Sequence, residues 1–245
     1  MKESILITGA SSGIGKALAF EFSKRGYSLG LCARRLNILD SIKNEIPYDS
    51  KIEIAKIDVT KSENISKGLH NLAKKLGNVR IVIVNAGISK NSFPGEKTFY
   101  LDKSVIETNL LGAIATIDVG VEILKKNGGG QVVGISSVAG FRGLSSNPTY
   151  SASKGALSIY MEGIRNNLAK QNIFVTVLNP GFIDTPINRH RKFRPFLISP
   201  EKAAKIMAVM IENKLLSSTV PKWPWSLVSK IIHFVPENIW AKIKF

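Results

Sequence analysis

Tyr150 and Lys154 are the two side chains whose spacing most directly predicts acid–base chemistry. Residues four apart lie on one face of a helix, about one turn from each other. A free tyrosine titrates at about pH 10, which is too high for efficient proton transfer at neutral pH. A neighbouring ammonium favours the tyrosinate, so we expect Lys154 to lower the pKa of Tyr150. The pair predicts a phenol that exchanges a proton with a reacting oxygen.

A serine hydroxyl is expected close to this pair. Ser137 closes the run GQVVGISS (130–137), which we predict to be a strand, and ligands of parallel α/β sheets bind at the carboxyl ends of strands. A hydroxyl there would hydrogen-bond a substrate oxygen and stabilise the charge that develops on it. Ser136 is the competing candidate, and the strand pattern alone leaves the choice open.

A glycine-rich turn, TGASSGIG (8–15), follows the first predicted strand and opens a helix. Gly9 permits the tight turn, Gly13 lets a pyrophosphate approach the backbone, and Gly15 lets the helix pack against the strand. The free N–H groups and the dipole at the start of the helix favour an anion. The residues that we predict to bind a dinucleotide here are Gly9, Ser11, Ser12, Gly13, Ile14 and Gly15.

The turn after the second predicted strand bears on the choice of cofactor. An NAD site usually has an acidic residue there to hold the ribose hydroxyls, whereas this chain has Arg34 and Arg35. A guanidinium can bind a phosphate through two parallel hydrogen bonds. We therefore expect NADP(H) to be preferred over NAD(H). Arg34 is the expected contact to the 2′-phosphate, and Arg35 is interpreted as a solvated surface charge.

These candidate residues need a sheet to position them, and the chain alternates apolar runs with amphipathic helical stretches. Such alternation indicates βαβ units, a parallel sheet and one Rossmann-type domain over residues 1–245. Two of the predicted helices are 15–26 and 63–77. The predicted strands are 4–10, 27–33, 51–59, 79–87, 130–137, 174–180 and a weaker 218–223.

Taken in order, these motifs resemble the short-chain dehydrogenase/reductase family, in its compact single-domain branch, over roughly residues 3–186. Val84 departs from the pattern, since many members have a second asparagine there. The motifs that carry the resemblance are TGASSGIG (8–15), Asp58-Val59, Asn85-Ala86-Gly87, Asn109, Ser137, the run from Tyr150 to Lys154, and NPGFIDTP (179–186).

The resemblance implies a doubly wound sheet of about seven strands, in the order 3-2-1-4-5-6-7, with helices on both faces. It also implies a homodimer or homotetramer. It favours Ser137 over Ser136, gives Lys154 a second role at the nicotinamide ribose, and makes Asn109 a catalytic residue that holds a water for proton relay. The other cofactor contacts that it implies are Asp58, Val59, Asn85, Ala86, Gly87, Tyr150, Lys154, Pro180, Gly181, Ile183 and Thr185.

The amino-acid composition restricts the class of protein, its cellular compartment and its partners. Apolar residues make up 44% and charged residues 21%, which is typical of a globular protein, and the single cysteine, Cys32, is consistent with a reducing, cytoplasmic location. No Cys/His spacing predicts a metal site. The net charge is +16, but no recognition-helix or base-stacking motif accompanies it, so we expect no nucleic-acid partner.

The last quarter of the chain departs from the family pattern. Residues 186–245 hold eleven lysines and arginines against three acids. Residues 186–200 fall where the family has its substrate lid, and they mix basic and apolar side chains. The extension 223–245 has Trp225, Val228 and Ile231 at helical spacing. It is compatible with an anionic membrane surface, with packing on a subunit or the core, or with a wall of the substrate site.

Two functions follow from these residues. The first is reduction of a ketone or aldehyde by NADPH, reversibly with oxidation of an alcohol, on an apolar or lipid-like small molecule. The alternative is a regulatory protein that senses NADPH on the same fold without significant turnover, because a fold alone does not guarantee chemistry. The combination of Ser137, Tyr150 and Lys154 favours the enzyme, since a sensor would not need all three.

Overall fold

Seven apolar runs form a parallel sheet in the computed structural model, which describes residues 3–189 and 191–242. The strand order is β3-β2-β1-β4-β5-β6-β7, which confirms the predicted topology. Because helices cover both faces, most strand residues are buried, and the runs are continuously apolar. The strands are β1 (Ser4–Thr8), β2 (Ser28–Ala33), β3 (Ile52–Lys56), β4 (Val79–Val84), β5 (Gly130–Ile135), β6 (Ile173–Pro180) and β7 (Ser217–Val220).

The helices pack in two layers. Buried side chains of α1, α2 and α7 form the core on one face of the sheet, and those of α3, α5 and α6 form the core on the other. The helices are α1 (Gly13–Lys24), α2 (Leu36–Glu45), α3 (Ser62–Leu76), α4 (Phe99–Ile106), α5 (Gly112–Lys126), α6 (Pro148–Ala169), α7 (Pro200–Glu212), α8 (Trp225–Ile231) and α9 (Glu237–Trp240).

All seven predicted strands are present, but several end earlier than the apolar pattern suggested. The run 51–59 leaves the sheet after Lys56, and Asp58 Oδ1 then accepts hydrogen bonds from the Thr60 backbone N–H and hydroxyl, which turns the chain. The run 79–87 ends at Val84, because the Asn85 side-chain amide donates to the Thr8 carbonyl oxygen on β1. Polar residues at the carboxyl ends therefore stop the strands where the site begins.

One helical stretch, Phe99–Lys126, is long and apolar enough to cross a bilayer by length and composition. It comprises α4, a π-helical turn (Glu107–Leu111) and α5. Within the fold it packs against α3, α6 and β4, and it carries Asn109, which is fully buried. These contacts are those of a core helix.

Candidate active site

A cavity of about 810 Å³ opens at the carboxyl ends of the strands. This is the edge where parallel α/β sheets bind their ligands, and the volume lies within the range of about 300–1,000 Å³ common for ligand pockets. The predicted site residues that line it are Gly9, Ser11, Ser12, Gly13, Ile14, Arg34, Asp58, Val59, Asn85, Ala86, Gly87, Ser137, Tyr150, Lys154, Pro180, Gly181, Ile183 and Thr185.

The glycine turn has the backbone that its sequence predicts. Gly9 and Gly13 have φ angles of 67° and 55°, a region that favours glycine, and a Cβ on Gly13 would lie 3.1 Å from Thr185 Cγ2. Gly15 differs from the expectation that it contacts the cofactor. It lies outside the cavity lining, and a Cβ there would lie 2.5 Å from the Gly9 carbonyl oxygen, so its role is close packing of α1.

The two arginines after β2 both line the cavity. Arg35 does not simply extend into solvent, because its Nη2 donates to Ser11 Oγ at 2.9 Å and to Ser12 Oγ at 3.2 Å. Burial raises the pKa of Asp58, but the hydrogen bonds from Thr60 and the nearby charge of Arg34 outweigh it and lower that pKa below its usual value. Both guanidiniums therefore line the end of the cavity that is formed by the glycine turn and Asp58, which we call the nucleotide end.

Tyr150 is positioned by the start of α6. Asn147 Oδ1 accepts a hydrogen bond from the Tyr150 backbone N–H at 3.2 Å, and Pro148 occupies the first helical position. Two close glycines hold the loop after β5 against this helix, since a Cβ on Gly140 would lie 2.7 Å from the Gly155 nitrogen. Tyr150 is therefore held in the first turn of α6, facing the loop that carries Ser137.

The structure distinguishes the two serines. The Ser137 hydroxyl lines the cavity with Tyr150 and, as a hydrogen-bond partner of the phenol, lowers its pKa, while it also accepts from the Ala139 N–H at 3.1 Å. The Ser136 hydroxyl is instead occupied within the fold, since it donates to the Lys154 carbonyl oxygen at 2.8 Å and accepts from the Ser158 hydroxyl at 2.8 Å. Ser137, which the resemblance favoured, is the serine whose hydroxyl meets the phenol.

Lys154 has a different effect from the one expected. Burial raises the pKa of Tyr150, and the Ser137 hydrogen bond and the charge of Arg191 only partly offset it. Burial also lowers the pKa of Lys154 to about 8. The Lys154 Nζ lies 5.9 Å from the centre of the Tyr150 ring and donates to the Ile135 carbonyl oxygen at 2.8 Å. In the protein alone, loss of solvation is therefore the main influence on the pKa of both groups.

Asn109 lies behind the cavity rather than in its wall. Its Oδ1 accepts from the Ile88 N–H at 2.8 Å, and its Nδ2 donates to the Ile88 carbonyl oxygen and to Ser153 Oγ. It sits in the π-helical turn between α4 and α5, and a Cβ on Gly87 would lie within 3.4 Å of both Asn109 Oδ1 and Lys154 Nζ. The side chain positions the segment after β4, and its part in a proton relay stays a prediction.

The end of the chain forms a wall of this cavity, which was one of three alternatives left open by its sequence. Trp225, Val228, Ile232 and Val235 line the cavity. Trp225 packs so closely on the motif after β6 that a Cβ on Gly181 would lie 2.1 Å from its Nε1. Residues 243–245 of the predicted extension, and residues 1 and 2 of the predicted domain, lie outside the described residues.

Sequence reasoning missed the residue that holds this wall in place. Arg142 Nη1 donates to the carbonyl oxygens of Ile232, at 2.8 Å, and Val235, and its guanidinium stacks on the Trp240 ring. The Trp240 indole N–H donates to the Gly143 carbonyl oxygen at 2.8 Å. No sequence motif connects residues almost a hundred positions apart, so this contact is visible only in the folded chain.

The predicted lid, residues 186–200, also contributes to the cavity. Pro186, Ile187, Asn188 and Arg191 line it, and an isolated bridge between Ile183 and Ile198 ties the segment to the end of β6. His190, counted among the basic side chains of this segment, lies outside the described residues. The segment therefore contributes side chains to the cavity, and its role as a substrate lid stays a prediction.

The fold and the site together define a Rossmann-type oxidoreductase with a serine–tyrosine–lysine centre. The family model for short chain dehydrogenases matches residues 3–194. The chain belongs to this family.

The similar proteins agree with this assignment. An uncharacterized oxidoreductase of Mycobacterium tuberculosis is 34% identical over 242 residues, 97% of this chain and 96% of the relative. One from Myxococcus xanthus is 32% identical over 91% of this chain and 87% of its own. Among solved structures, ElxO with NADP bound is 26% identical, with a TM-score of 0.81 over 91% of this chain and 99% of its own.

Proposed function

We propose that this protein reduces a ketone or aldehyde with NADPH, reversibly, and that its substrate is apolar or lipid-like. The observation that carries the proposal is that Ser137, Tyr150, Lys154 and the glycine turn line one cavity at the carboxyl ends of the strands. Together they provide a proton donor, a hydrogen-bond donor and a phosphate-binding backbone around one space.

The residues present fit a nicotinamide dinucleotide. A Cβ on Gly13 would lie 3.1 Å from Thr185 Cγ2, so a glycine suits this position at the start of α1, where backbone N–H groups favour a phosphate. Arg34 and Arg35 place two positive charges at the nucleotide end, where NAD sites usually carry an acid. ElxO, which is structurally similar, has been solved with NADP. These observations support NADP(H) over NAD(H).

When bound, the dinucleotide supplies the hydride. Tyr150 then donates its phenolic proton to the substrate oxygen as negative charge develops there, and Ser137 donates a hydrogen bond to the same atom. The raised pKa of Tyr150 keeps the phenol protonated before reaction, which is the form that reduction requires. Lys154 is buried beside the phenol, where its positive charge stabilises the tyrosinate that remains.

The substrate end of the cavity is apolar. Val228, Ile231, Ile232 and Val235 come from the end of the chain, and Leu144 comes from the loop before α6. Such a wall buries hydrocarbon favourably, at roughly 25 cal/mol per Å² of apolar surface. This lining supports an apolar body on the substrate. The sensor alternative is weaker, because it assigns no role to the phenol–serine pair.

Three of the broader expectations stay predictions: a homodimer or homotetramer, a cytoplasmic location, and contact with an anionic membrane. The last is compatible with the outward face of the C-terminal segment, where Leu227 and Phe234 are exposed beside Lys230. Vesicle binding and oligomeric state, measured on a variant of this face, distinguish a membrane from a second copy of the protein.

The test combines cofactor binding with turnover. NADPH and NADH are titrated by fluorescence, and a panel of ketones and aldehydes of increasing chain length is assayed. We expect tighter binding of NADPH, and a loss of about 100-fold or more in kcat for Tyr150→Phe with NADPH affinity retained. Tyr160→Phe, which alters a tyrosine further along α6, is the matched control. NADPH binding without turnover of any compound would instead favour the sensor.

A further inference from the structure

Arg191 is distinguished from the other arginines of the lid segment by what it binds. Arg194 and Arg189 lie 2.9 Å and 3.5 Å from Asp184 Oδ1, so both are paired with a carboxylate. Among the residues that the structure describes, Arg191 has no such ion pair, and its one side-chain hydrogen bond goes to Ser146 Oγ at 3.1 Å. A half-buried guanidinium with a single neutral partner has most of its hydrogen-bonding capacity unused.

This guanidinium faces the reaction centre. Arg191 lines the same cavity as Ser137 and Tyr150. Its charge reaches the phenol, since it is one of the influences that lower the pKa of Tyr150 against the effect of burial. Tyr150 protonates the carbonyl oxygen of the substrate. From its position in the same cavity, Arg191 can contact a second group on that substrate.

Within the described part of the chain, the cavity lining offers Arg191 no acid at its own end. The one carboxylate in that lining is Asp58, which lies at the nucleotide end beside Arg34. The substrate end combines the cation of Arg191 with the apolar side chains of Val228, Ile232 and Val235. A ligand complementary to this end has an anionic group and a hydrocarbon body.

We propose that Arg191 is a specificity-determining residue that binds an anionic oxygen group, a carboxylate or a phosphate ester, on an apolar carbonyl substrate. The proposal rests on the proposed function and adds the substrate class. The planar guanidinium donates two parallel hydrogen bonds to such a group, which fixes the distance between the anion and the carbonyl that Tyr150 protonates.

The test uses a matched pair of compounds, a medium-chain oxo acid and its methyl ester, which differ in the negative charge alone. Binding of each compound to the NADP⁺ complex, which has no hydride to donate, is measured by calorimetry, and kcat/KM is measured for each with NADPH. We expect the wild-type protein to favour the acid by about tenfold or more, because hydrogen bonds to charged groups discriminate by this amount. In Arg191→Gln, binding and kcat/KM for the acid fall by about tenfold relative to those for the ester, so the ratio of acid to ester approaches one.

Two variants serve as controls. Lys192→Gln removes one charge from the adjacent, exposed position outside the cavity lining, and we expect it to leave the ratio of acid to ester unchanged. Arg191→Lys retains the charge and restores part of the preference. If Arg191 had a purely structural role, its substitution would change binding and kcat/KM for the acid and the ester by the same factor. The ratio of acid to ester would then stay constant.

Several results would overturn the proposal. Equal loss of acid and ester in Arg191→Gln contradicts it, as does a wild-type protein that binds both compounds equally. A fall in NADPH affinity with an unchanged ratio assigns Arg191 to the cofactor instead. The calorimetric comparison does not depend on turnover, so absence of reduction with preserved preference for the acid contradicts the proposed function and leaves the anion site supported.

Discussion

The guanidinium of Arg142 lies 4.7 Å from the centre of the Trp240 ring, and this contact joins the loop after the catalytic serine to the end of the chain. The same arginine donates to two carbonyl oxygens of the C-terminal segment. A cation over an indole face contributes about 0.5–2 kcal/mol, and a hydrogen bond from a charged donor about 1.5–3 kcal/mol. Arg142 is therefore a positioning residue for the apolar wall of the substrate site.

We predict that Arg142→Gln loosens this wall while leaving the cofactor end intact. KM for an apolar ketone should rise by about tenfold, because the wall that buries the substrate is no longer held. Hydrogen exchange of residues 225–242 should become faster, and NADPH affinity should not change. Arg165→Gln is the matched control, since Arg165 also donates to backbone carbonyls, those of Val175 and Leu216, away from the C-terminal segment. Unchanged exchange in the Arg142 variant would contradict this role.

The two arginines after β2 predict the response of cofactor choice to mutation. Arg34→Asp should reverse the preference for NADPH, because a carboxylate repels the 2′-phosphate and suits ribose hydroxyls. We expect the dissociation constant for NADPH to rise by about 10- to 100-fold, with that for NADH unchanged or lower. Fluorescence titration measures both, and NADH is the internal control. If NADPH bound the variant as tightly as it bound the wild type, Arg34 would not contact the phosphate.

Arg35 requires its own comparison, since its guanidinium is bonded to the Ser11 and Ser12 hydroxyls. Arg35→Gln removes the charge and retains a hydrogen-bond donor. We expect a smaller, two- to fivefold loss of NADPH affinity of about 0.4–1 kcal/mol if Arg34 is the main contact. If Arg35→Gln lost more NADPH affinity than Arg34→Gln, Arg35 would be the main contact to the 2′-phosphate.

Burial of Lys154 predicts a pH dependence of stability. Its pKa falls from its ordinary value of 10.5 to about 8. Below pH 8 the amine is protonated in both the folded and unfolded states. Burial of its charge then lowers the free energy of unfolding by the full amount, roughly 3 kcal/mol. Between these two pKa values the unfolded chain binds more protons, so the contribution of Lys154 to stability rises with pH. Above pH 10.5 the amine is neutral in both states, and burial of its charge no longer lowers the free energy of unfolding.

Lys154→Met tests this dependence. The difference in unfolding free energy, variant minus wild type, should be largest near pH 7 and should decrease as pH rises toward 10. The unpaired Ile135 carbonyl in the variant adds an offset that does not vary with pH. Denaturant unfolding at several pH values measures the difference, and the variant should lose catalysis throughout. A difference that stays constant from pH 7 to 10 would show that the amine is not destabilised by burial.

The outward face of the C-terminal segment predicts contact with an anionic membrane. Leu227 is 45% exposed and Phe234 is 85% exposed, and Lys230 lies between them in the chain. Phe234→Glu should lower partitioning into vesicles that contain anionic lipid by about tenfold, since it replaces an apolar anchor with a like charge. Phe99→Glu, at a phenylalanine 76% exposed on α4, is the matched control. Unchanged partitioning, with dimers lost in size-exclusion chromatography, would assign this face to a second copy.

The amino-acid sequence by itself determined the strands, their parallel arrangement and the site residues that lie next to strand ends. Apolar runs mark buried strands because both faces are covered, and the glycine turn, Asp58, Asn85 and Ser137 lie at the carboxyl ends of those runs. The spacing of Tyr150 and Lys154 is local to one helix. Local patterns of this kind need no knowledge of distant contacts.

Only the tertiary structure decided what depends on contacts between distant segments. It placed the C-terminal segment over the substrate end, through Arg142 and Gly181, and left Arg191 without a carboxylate among the described residues while its neighbours pair with Asp184. It also showed that burial raises the pKa of Tyr150. Burial and long-range pairing are properties of the assembled core, so sequence spacing cannot supply them.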